Sequence, residues 1–136
     1  MPGIAGLISR QPAERCGRLV QQMVESMQDE KFHVSGTYAV PELGIFSGWV
    51  SLEDSPSRFS AAVAEQSDVA VLLAGELFPD RDAYSGHDSS RLVRLYEKKG
   101  DDFCDDLNGL FSGLLIDRRK QRAFLFNDRY GMERIY

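Results

Sequence analysis

The sequence has little cysteine, little histidine and no long apolar run. Its 136 residues hold two cysteines, two histidines and one tryptophan. Cys16 and Cys104 stand alone in the chain, at no metal-ligand spacing, so neither a zinc motif nor a disulfide framework is present, and two such thiols read as reduced and buried. No apolar stretch approaches the roughly 18 residues that a membrane span needs. The start lacks the basic stretch followed by an apolar one that marks a signal peptide. These absences point to the cytoplasm, with no membrane partner. Positive charge is also short, with 16 Lys and Arg against 21 Asp and Glu, a net charge of −5 and a pI near 5.0. A nucleic-acid backbone therefore finds no electrostatic footprint. No internal repeat or low-complexity segment occurs.

What remains is ordinary globular material, 43% hydrophobic, 27% charged and 10% aromatic, which excludes disorder as the main state. The length falls below the roughly 150 residues taken as one domain's worth, so a single domain is expected. A compact chain of this size buries about two thirds of the surface its unfolded form exposes, so its core requires no disulfide or structural metal.

Gly3-Ile4-Ala5-Gly6-Leu7-Ile8-Ser9 is short, apolar and punctuated by glycine, as a buried strand would be. Pro12 follows where a first helical turn would begin, and Cys16, Leu19, Val20, Met23, Val24 and Met27 recur at spacings of three and four, predicting one apolar helix face that ends near Asp29. His33 to Val40 and Leu43 to Leu52, divided by Pro41, predict a hairpin, and Glu53 to Ser60 a polar loop. Val69 to Ala74 is apolar throughout, as in a strand covered on both faces, and should end at Gly75-Glu76. Phe78 to His87 is loop-like. Asp88 is placed to cap a helix that carries Leu92, Leu95 and Tyr96 and stops at Gly100. Leu110 to Ile116 and Ala123 to Phe126 predict a second hairpin, with Asp117 to Gln121 as its solvated turn. Hairpins in two places with helices between them indicate an α+β fold rather than a parallel βαβ array.

Taken in order, several segments resemble the N-terminal glutaminase domain of class II glutamine amidotransferases, in the version carried by asparagine synthetases. Gly3-Ile4-Ala5-Gly6 resembles the family's Cys-Gly-Ile-Ala-Gly start, and Leu73-Ala74-Gly75-Glu76-Leu77 its Asn-Gly-Glu-Ile segment. His87-Asp88-Ser89-Ser90 and Leu95-Tyr96-Glu97-Lys98-Lys99-Gly100 are similar to its Ser-Asp-Thr-Glu segment and the helix after it. Leu107-Asn108-Gly109-Leu110-Phe111, Ile116-Asp117-Arg118-Arg119, Asp128-Arg129-Tyr130-Gly131 and Ile135-Tyr136 resemble its closing blocks. The order holds from residue 3 to the end. The resemblance implies an Ntn-hydrolase-like αββα sandwich, two antiparallel sheets between helical layers. The family's domain continues with further strands, so residues 1–136 look like most of a glutaminase-like domain cut from a longer chain. An under-covered sheet edge on the last hairpin is then expected.

Releasing ammonia from glutamine takes a nucleophile, a group to manage its proton and donors for the oxyanion. In the family, removal of Met1 exposes a cysteine whose thiol attacks and whose α-amine is the base. This chain has Pro2 there, with neither thiol nor hydroxyl. The family's oxyanion hole combines an Asn side chain with the next Gly backbone, and the matching positions hold Ala74 and Gly75, followed by Glu76. Losing one such donor costs about 100- to 1000-fold in rate. The family's arginine for the substrate carboxylate is matched by Trp49, and a neutral indole is no ionic clamp. Glu30-Lys31-Phe32-His33 replaces its Arg-Gly-Pro-Asp stretch. Asp88 stands where the family grips the glutamine amine, although a helix N-cap needs Asp for structural reasons alone. The former pocket would thus be Pro2, Trp49, Ala74, Gly75, Glu76 and Asp88, with no catalytic residue.

Other readings are bland. Pro2 could in principle use its secondary amine as a general base, but no partner set accompanies it. Cys16 could be imagined beside His33 or His87, yet it lies on the apolar helix stripe. Asp101, Asp102, Asp105 and Asp106 match no cation loop and read as a solvated face. Trp49 and Tyr38 fit cross-strand packing, and Arg118-Arg119-Lys120 fits solvated charge.

The expectation is a catalytically silent glutaminase-like domain of an asparagine-synthetase-related, ATP-dependent amide-forming protein, acting as scaffold and interface. No cofactor is expected in this chain. ATP and magnesium would belong to a C-terminal synthetase domain of the same protein, its expected partner, and a homodimer stays open. The alternatives are a stand-alone module binding a ligand or partner in the former pocket, and an active amidotransferase with a relocated nucleophile.

Overall fold

The computed structural model describes residues 3–28, 33–52, 62–63, 68–78 and 89–136. The chain divides into two compact units, Met1–Phe59 and Ser60–Tyr136.

The first unit opens with strand β1 (Gly3–Ile8) and helix α1 (Ala13–Met27), followed by β2 (His33–Val40) and β3 (Ile45–Leu52). The three strands form an antiparallel sheet in the order β1-β3-β2. Pro12 precedes α1, and its carbonyl accepts hydrogen bonds from Arg15 N and Cys16 N, so the proline sets the entry of the helix without giving up a helical N–H. Cys16, Val20 and Val24, four residues apart, are the buried stripe and pack with Phe46 and Val50. Leu19 and Met23, expected on the same stripe, are each 39% exposed. The sheet thus covers a narrower face of α1 than the apolar pattern occupies. The approach is close at Gly48, where a Cβ would collide with the Val24 side chain and lie 3.1 Å from Val20.

A 3-10 turn, Pro41–Leu43, joins β2 to β3 and takes Leu43 out of the strand predicted for it. It closes at Gly44 (φ +67), whose carbonyl accepts from Ser9 N at 2.8 Å, tying the hairpin to the end of β1.

The second unit is a four-stranded antiparallel sheet, β4 (Ala62–Val63), β5 (Val69–Leu77), β6 (Gly109–Asp117) and β7 (Arg122–Asn127), in the order β4-β5-β6-β7. Helix α2 (Ser89–Lys99) ends at Gly100 (φ +63), and 3-10 turns follow over Gly100–Asp106. Strand β5 does not end at Gly75-Glu76 as predicted but runs on to Leu77. Gly75, Glu76 and Leu77 continue it in register with Phe111, Leu110 and Gly109, because β6 starts early enough to pair with them. Val69, Val71, Phe111, Leu115 and Phe126 pack with Leu92, Val93 and Tyr96 of α2 and with Phe103. Phe103 meets Tyr96 and Phe126 edge-on, at centroid distances of 5.7 and 5.2 Å, an arrangement that aligns ring edge with ring face. Residues of the other parity, Ala70, Leu72, Ala74, Leu114 and Ile116, are buried too, in keeping with a strand covered on both faces.

The predicted solvated turn is only partly that. Asp117 is fully buried and ends β6. Its carboxylate accepts from the Tyr96 hydroxyl at 2.9 Å and from Lys120 N at 3.1 Å. Arg119 reaches Glu97 and Asp117, and the Lys120 ammonium lies over the Tyr96 ring. The charge run fastens the hairpin to α2.

At the end of the described sheet order, β7 carries Leu125, 62% exposed. The chain is α+β, with two antiparallel sheets that each carry a helix, the two halves from which an Ntn-hydrolase-like αββα fold is built. Among the described residues no helix is long and apolar enough to cross a membrane.

Candidate functional site

Of the six positions assigned to the former pocket, Pro2 and Asp88 lie outside the described residues, as do the Glu53–Ser60 segment and most of the Phe78–His87 loop. Trp49 belongs to the first unit, on β3, where it pairs with Ile4 and Gly36. Strand alternation puts Phe46, Gly48 and Val50 on the α1 face, so Trp49 is on the opposite face. Its indole is drawn over Gly36, where a Cβ would stand 2.7 Å from Cζ2 and 2.9 Å from Nε1. That is cross-strand packing: the ring covers a neighbouring residue with no side chain of its own. Tyr38 pairs with Ser47, whose hydroxyl donates to the Tyr38 carbonyl at 2.9 Å.

Ala74, Gly75 and Glu76 are consecutive on β5 in the second unit. Ala74 is buried on the face opposite α2, and Glu76, of the same parity, is exposed. A buried methyl group donates nothing to an oxyanion. Gly75 has φ +112, and a Cβ there would run into the Leu110 carbonyl and lie 2.8 Å from Phe111 Cα. Only glycine fits this backbone, so the conformation at this position does not depend on the side chain before it. Gly109, which pairs with Leu77, is equally constrained: a Cβ there would meet the Glu76 carbonyl.

Neither cysteine is set up to attack. Cys16 is completely buried under α1, with its thiol 3.7 Å from the Gln11 carbonyl. The side chain of His33 and the whole of His87 lie outside the described residues. Cys104 packs against the α2 core, and burial, helped by the charge of Asp105, pushes its thiol up to about 11. A thiol in that state carries very little thiolate at neutral pH. In the acidic cluster, Asp101 is paired with Arg122 and Asp106 with Lys99. Among the described residues no group of three or more His, Cys, Asp or Glu is placed to hold a metal ion.

The turn after β7 was not singled out from the residues themselves. Asp128 is 3% exposed and accepts three backbone N–H groups, from Tyr130 (2.9 Å), Met132 (3.2 Å) and Glu133 (2.9 Å). Those hydrogen bonds, the one from Glu133 foremost, hold its carboxyl below the usual carboxylate range against the opposing effect of burial. Gly131 (φ +62) donates back to the Asp128 carbonyl. An Asp followed three residues later by a Gly is the local signal of such an Asx-type turn, the Asp accepting from the backbone two residues on and the Gly supplying the positive φ.

Beside this turn is a polar cleft of about 530 Å³. Arg91 and Leu95 of α2, Asp105 to Gly109, and Arg129 with Tyr130 line it.

The glutamine amidotransferase domain family matches residues 63–136, more than half of the chain. Asparagine synthetase [glutamine-hydrolyzing] 2 of Bacillus subtilis is 23% identical over 150 aligned positions, covering 100% of this chain and 19% of that protein. The Asparagus officinalis asparagine synthetase is 31% identical over 53% of this chain and 14% of its own length, and asparagine synthetase B of Escherichia coli is 26% identical over 75% and 20%. The chain spans a fifth or less of each of these relatives. With the family's segments in order and an α+β fold of two antiparallel sheets, the chain belongs to the glutamine amidotransferase domain family, in the form similar to the glutaminase domain of asparagine synthetases.

Proposed function

We propose that this chain is a catalytically silent glutaminase-like domain of an asparagine-synthetase-related, ATP-dependent amide-forming protein, in which residues 1–136 serve as scaffold and interface. The observation that carries this is Pro2, a residue without a nucleophilic atom at the position where the family resemblance puts the attacking cysteine. Two other positions that the resemblance assigns to the former pocket support the same reading. The buried methyl of Ala74 replaces a side-chain oxyanion donor, and Trp49 is a packing indole rather than a guanidinium. Neither described thiol is a substitute, one being sealed in a core and the other held protonated.

In this reading the amide-forming chemistry, with its ATP and magnesium, belongs to a synthetase domain of the same protein, and the whole works in the cytoplasm. The synthetase domain would then use an amine that does not come from glutamine hydrolysis here.

Purified protein incubated with L-glutamine is expected to release no ammonia above the buffer rate. Restoring the nucleophile alone, with Pro2→Cys, is expected to leave activity at least about 100-fold below that of a family member, because the missing oxyanion donor is not restored with it. Ammonia release by the unaltered chain that persists in Pro2→Ala would overturn the reading.

A further inference from the structure

Asparagine is scarce in this chain and occurs only at positions 108 and 127. The two are in opposite states. Asn127 is followed by Asp128, and its side-chain amide donates to the Glu133 carbonyl. Asn108 is exposed and followed by Gly109, and among the described residues nothing hydrogen-bonds its side-chain amide.

The backbone at Asn108 is equally distinctive. The Phe78 N–H donates to the Asn108 carbonyl at 2.8 Å, so Leu77 and Gly109 oppose each other as a pair that exchanges no hydrogen bonds, and the Gly109 N–H is turned away from β5. On the other side of β6, pairing with β7 stops at Ser112 and Asn127. The Gly109 N–H is therefore in neither ladder. The bond from Phe78 also polarises the peptide between Asn108 and Gly109, because a donor on that oxygen stabilises the negative charge it acquires when the amide nitrogen loses its proton. Gly109 has no Cβ to shield its nitrogen from the Asn108 side chain.

We propose that Asn108 and Gly109 form a self-modification site of the folded chain, a slow deamidation that rewrites the start of β6. Hydroxide takes the Gly109 amide proton, and the nitrogen forms a bond to Cγ of Asn108. The bond from Cγ to Nδ2 then breaks, and the nitrogen leaves as ammonia after taking a proton from water. Nucleophile and target sit in adjoining residues, so their encounter costs no translational entropy. Water opens the resulting five-membered imide at either carbonyl, leaving aspartate or isoaspartate at position 108. Isoaspartate routes the backbone through the former side chain and lengthens it by one methylene. There is no slack for it here, where even a Cβ on Gly109 would meet the Glu76 carbonyl. The pairing of Gly109 and Leu110 with Leu77 and Glu76 is lost, and the end of β5 loosens as the molecule ages. The reaction does not depend on whether the glutaminase chemistry is silent.

The test keeps the folded chain for days at mildly alkaline pH and follows it by mass spectrometry. A gain of about 1 Da per chain is expected, mapped by fragmentation to residue 108 and not to residue 127, with separate aspartate and isoaspartate peptides. Asn108→Gln, whose imide would be a six-membered ring, is expected to react at least about tenfold more slowly. The folded chain is expected to react within about tenfold of the urea-unfolded chain, since the site needs no global opening. In the purified isoaspartate form, the amides of Glu76, Phe78 and Leu110 are expected to lose exchange protection that the Asn108→Asp variant keeps. No mass gain, a gain at residue 127, an equal rate in Asn108→Gln, a folded chain that reacts only through global unfolding, or unchanged protection in the isoaspartate form would each overturn the proposal.

Discussion

Asp117 and Gly75 show how much depends on single positions. Asp117 is buried at the end of β6, accepting from the Tyr96 hydroxyl and the Lys120 amide. Removing it strands two donors, one of them on a ring that is 2% exposed. Asp117→Ala is expected to destabilise the chain by about 3 kcal/mol in urea unfolding, and Tyr96→Phe by about 1 kcal/mol, since the carboxylate keeps its other donor. Glycine substitutions should change sign with position. Gly75→Ala puts a Cβ into the Leu110 carbonyl at φ +112 and should cost at least about 2 kcal/mol. Gly17, inside α1 with open space around it, should gain about 0.5–1 kcal/mol on replacement by alanine, from helix propensity alone. Thermal unfolding of both variants checks the pair. Asp117 was read as a turn residue because it opens a charged run, and nothing nearby in the chain reveals its partner, Tyr96, 21 residues earlier. Gly75, in contrast, was singled out in the sequence through the family resemblance, as the surviving backbone donor, although its place after an apolar run read as a strand end.

The elements were largely readable because each has a clean period. Alternation and apolar runs located the strands, and the three-and-four spacing located α1 and α2. What periodicity could not say is how wide a helix face the sheet covers. Six positions of α1 share the apolar pattern, yet Cys16, Val20 and Val24 are buried while Leu19 and Met23 stay 39% exposed. The width is set by how closely α1 sits over Gly48, a contact between residues more than 20 apart in sequence. Two truncations on the same helix should therefore separate. Val24→Ala opens a cavity and should cost about 2 kcal/mol, while Leu19→Ala, already in partial contact with water, should cost about half that or less. Chemical denaturation of the two variants measures the difference. The end of β5 was misjudged for a related reason: a glycine and a glutamate look like a stop, but pairing with the first residues of β6 carries the strand on to Leu77.

At the scale of the molecule, the carboxyls held below the normal range among the described residues are both in the second unit. Asp117 and Asp128 both have carboxyls held below the normal range. For Asp117, burial works to raise it, and the Lys120 amide, the Tyr96 hydroxyl and the nearby cations more than reverse that. For Asp128, the backbone N–H of Glu133 leads the lowering. A carboxyl depressed in the folded state contributes stability that is fully present above its unfolded value, about 3.9, and is lost as pH falls from there through the folded value. Amide exchange is therefore expected to lose protection in β6, β7 and the turn after it as pH drops below about 4, while β1 and β3 of the first unit hold. Equal loss in both units would show that the two carboxyls do not control it.

The sequence by itself determined what is local or additive. Composition and charge offered no electrostatic footprint for a nucleic-acid backbone, spacing located the helices and strands, and the ordered segments from Gly3 to Tyr136 carried the family that residues 63–136 then matched. The residue identities behind the proposed silence, Pro2, Trp49 and Ala74, are also sequence facts. Only the tertiary structure decided which charges are buried and which pairs meet. It turned Asp117 from a solvated residue into an anchor, laid the Trp49 indole over Gly36, and gathered Arg91, Asp105 and Arg129 around one cleft. The physical reason is that burial and pairing are properties of two or more distant segments at once, whereas period, propensity and motif belong to one.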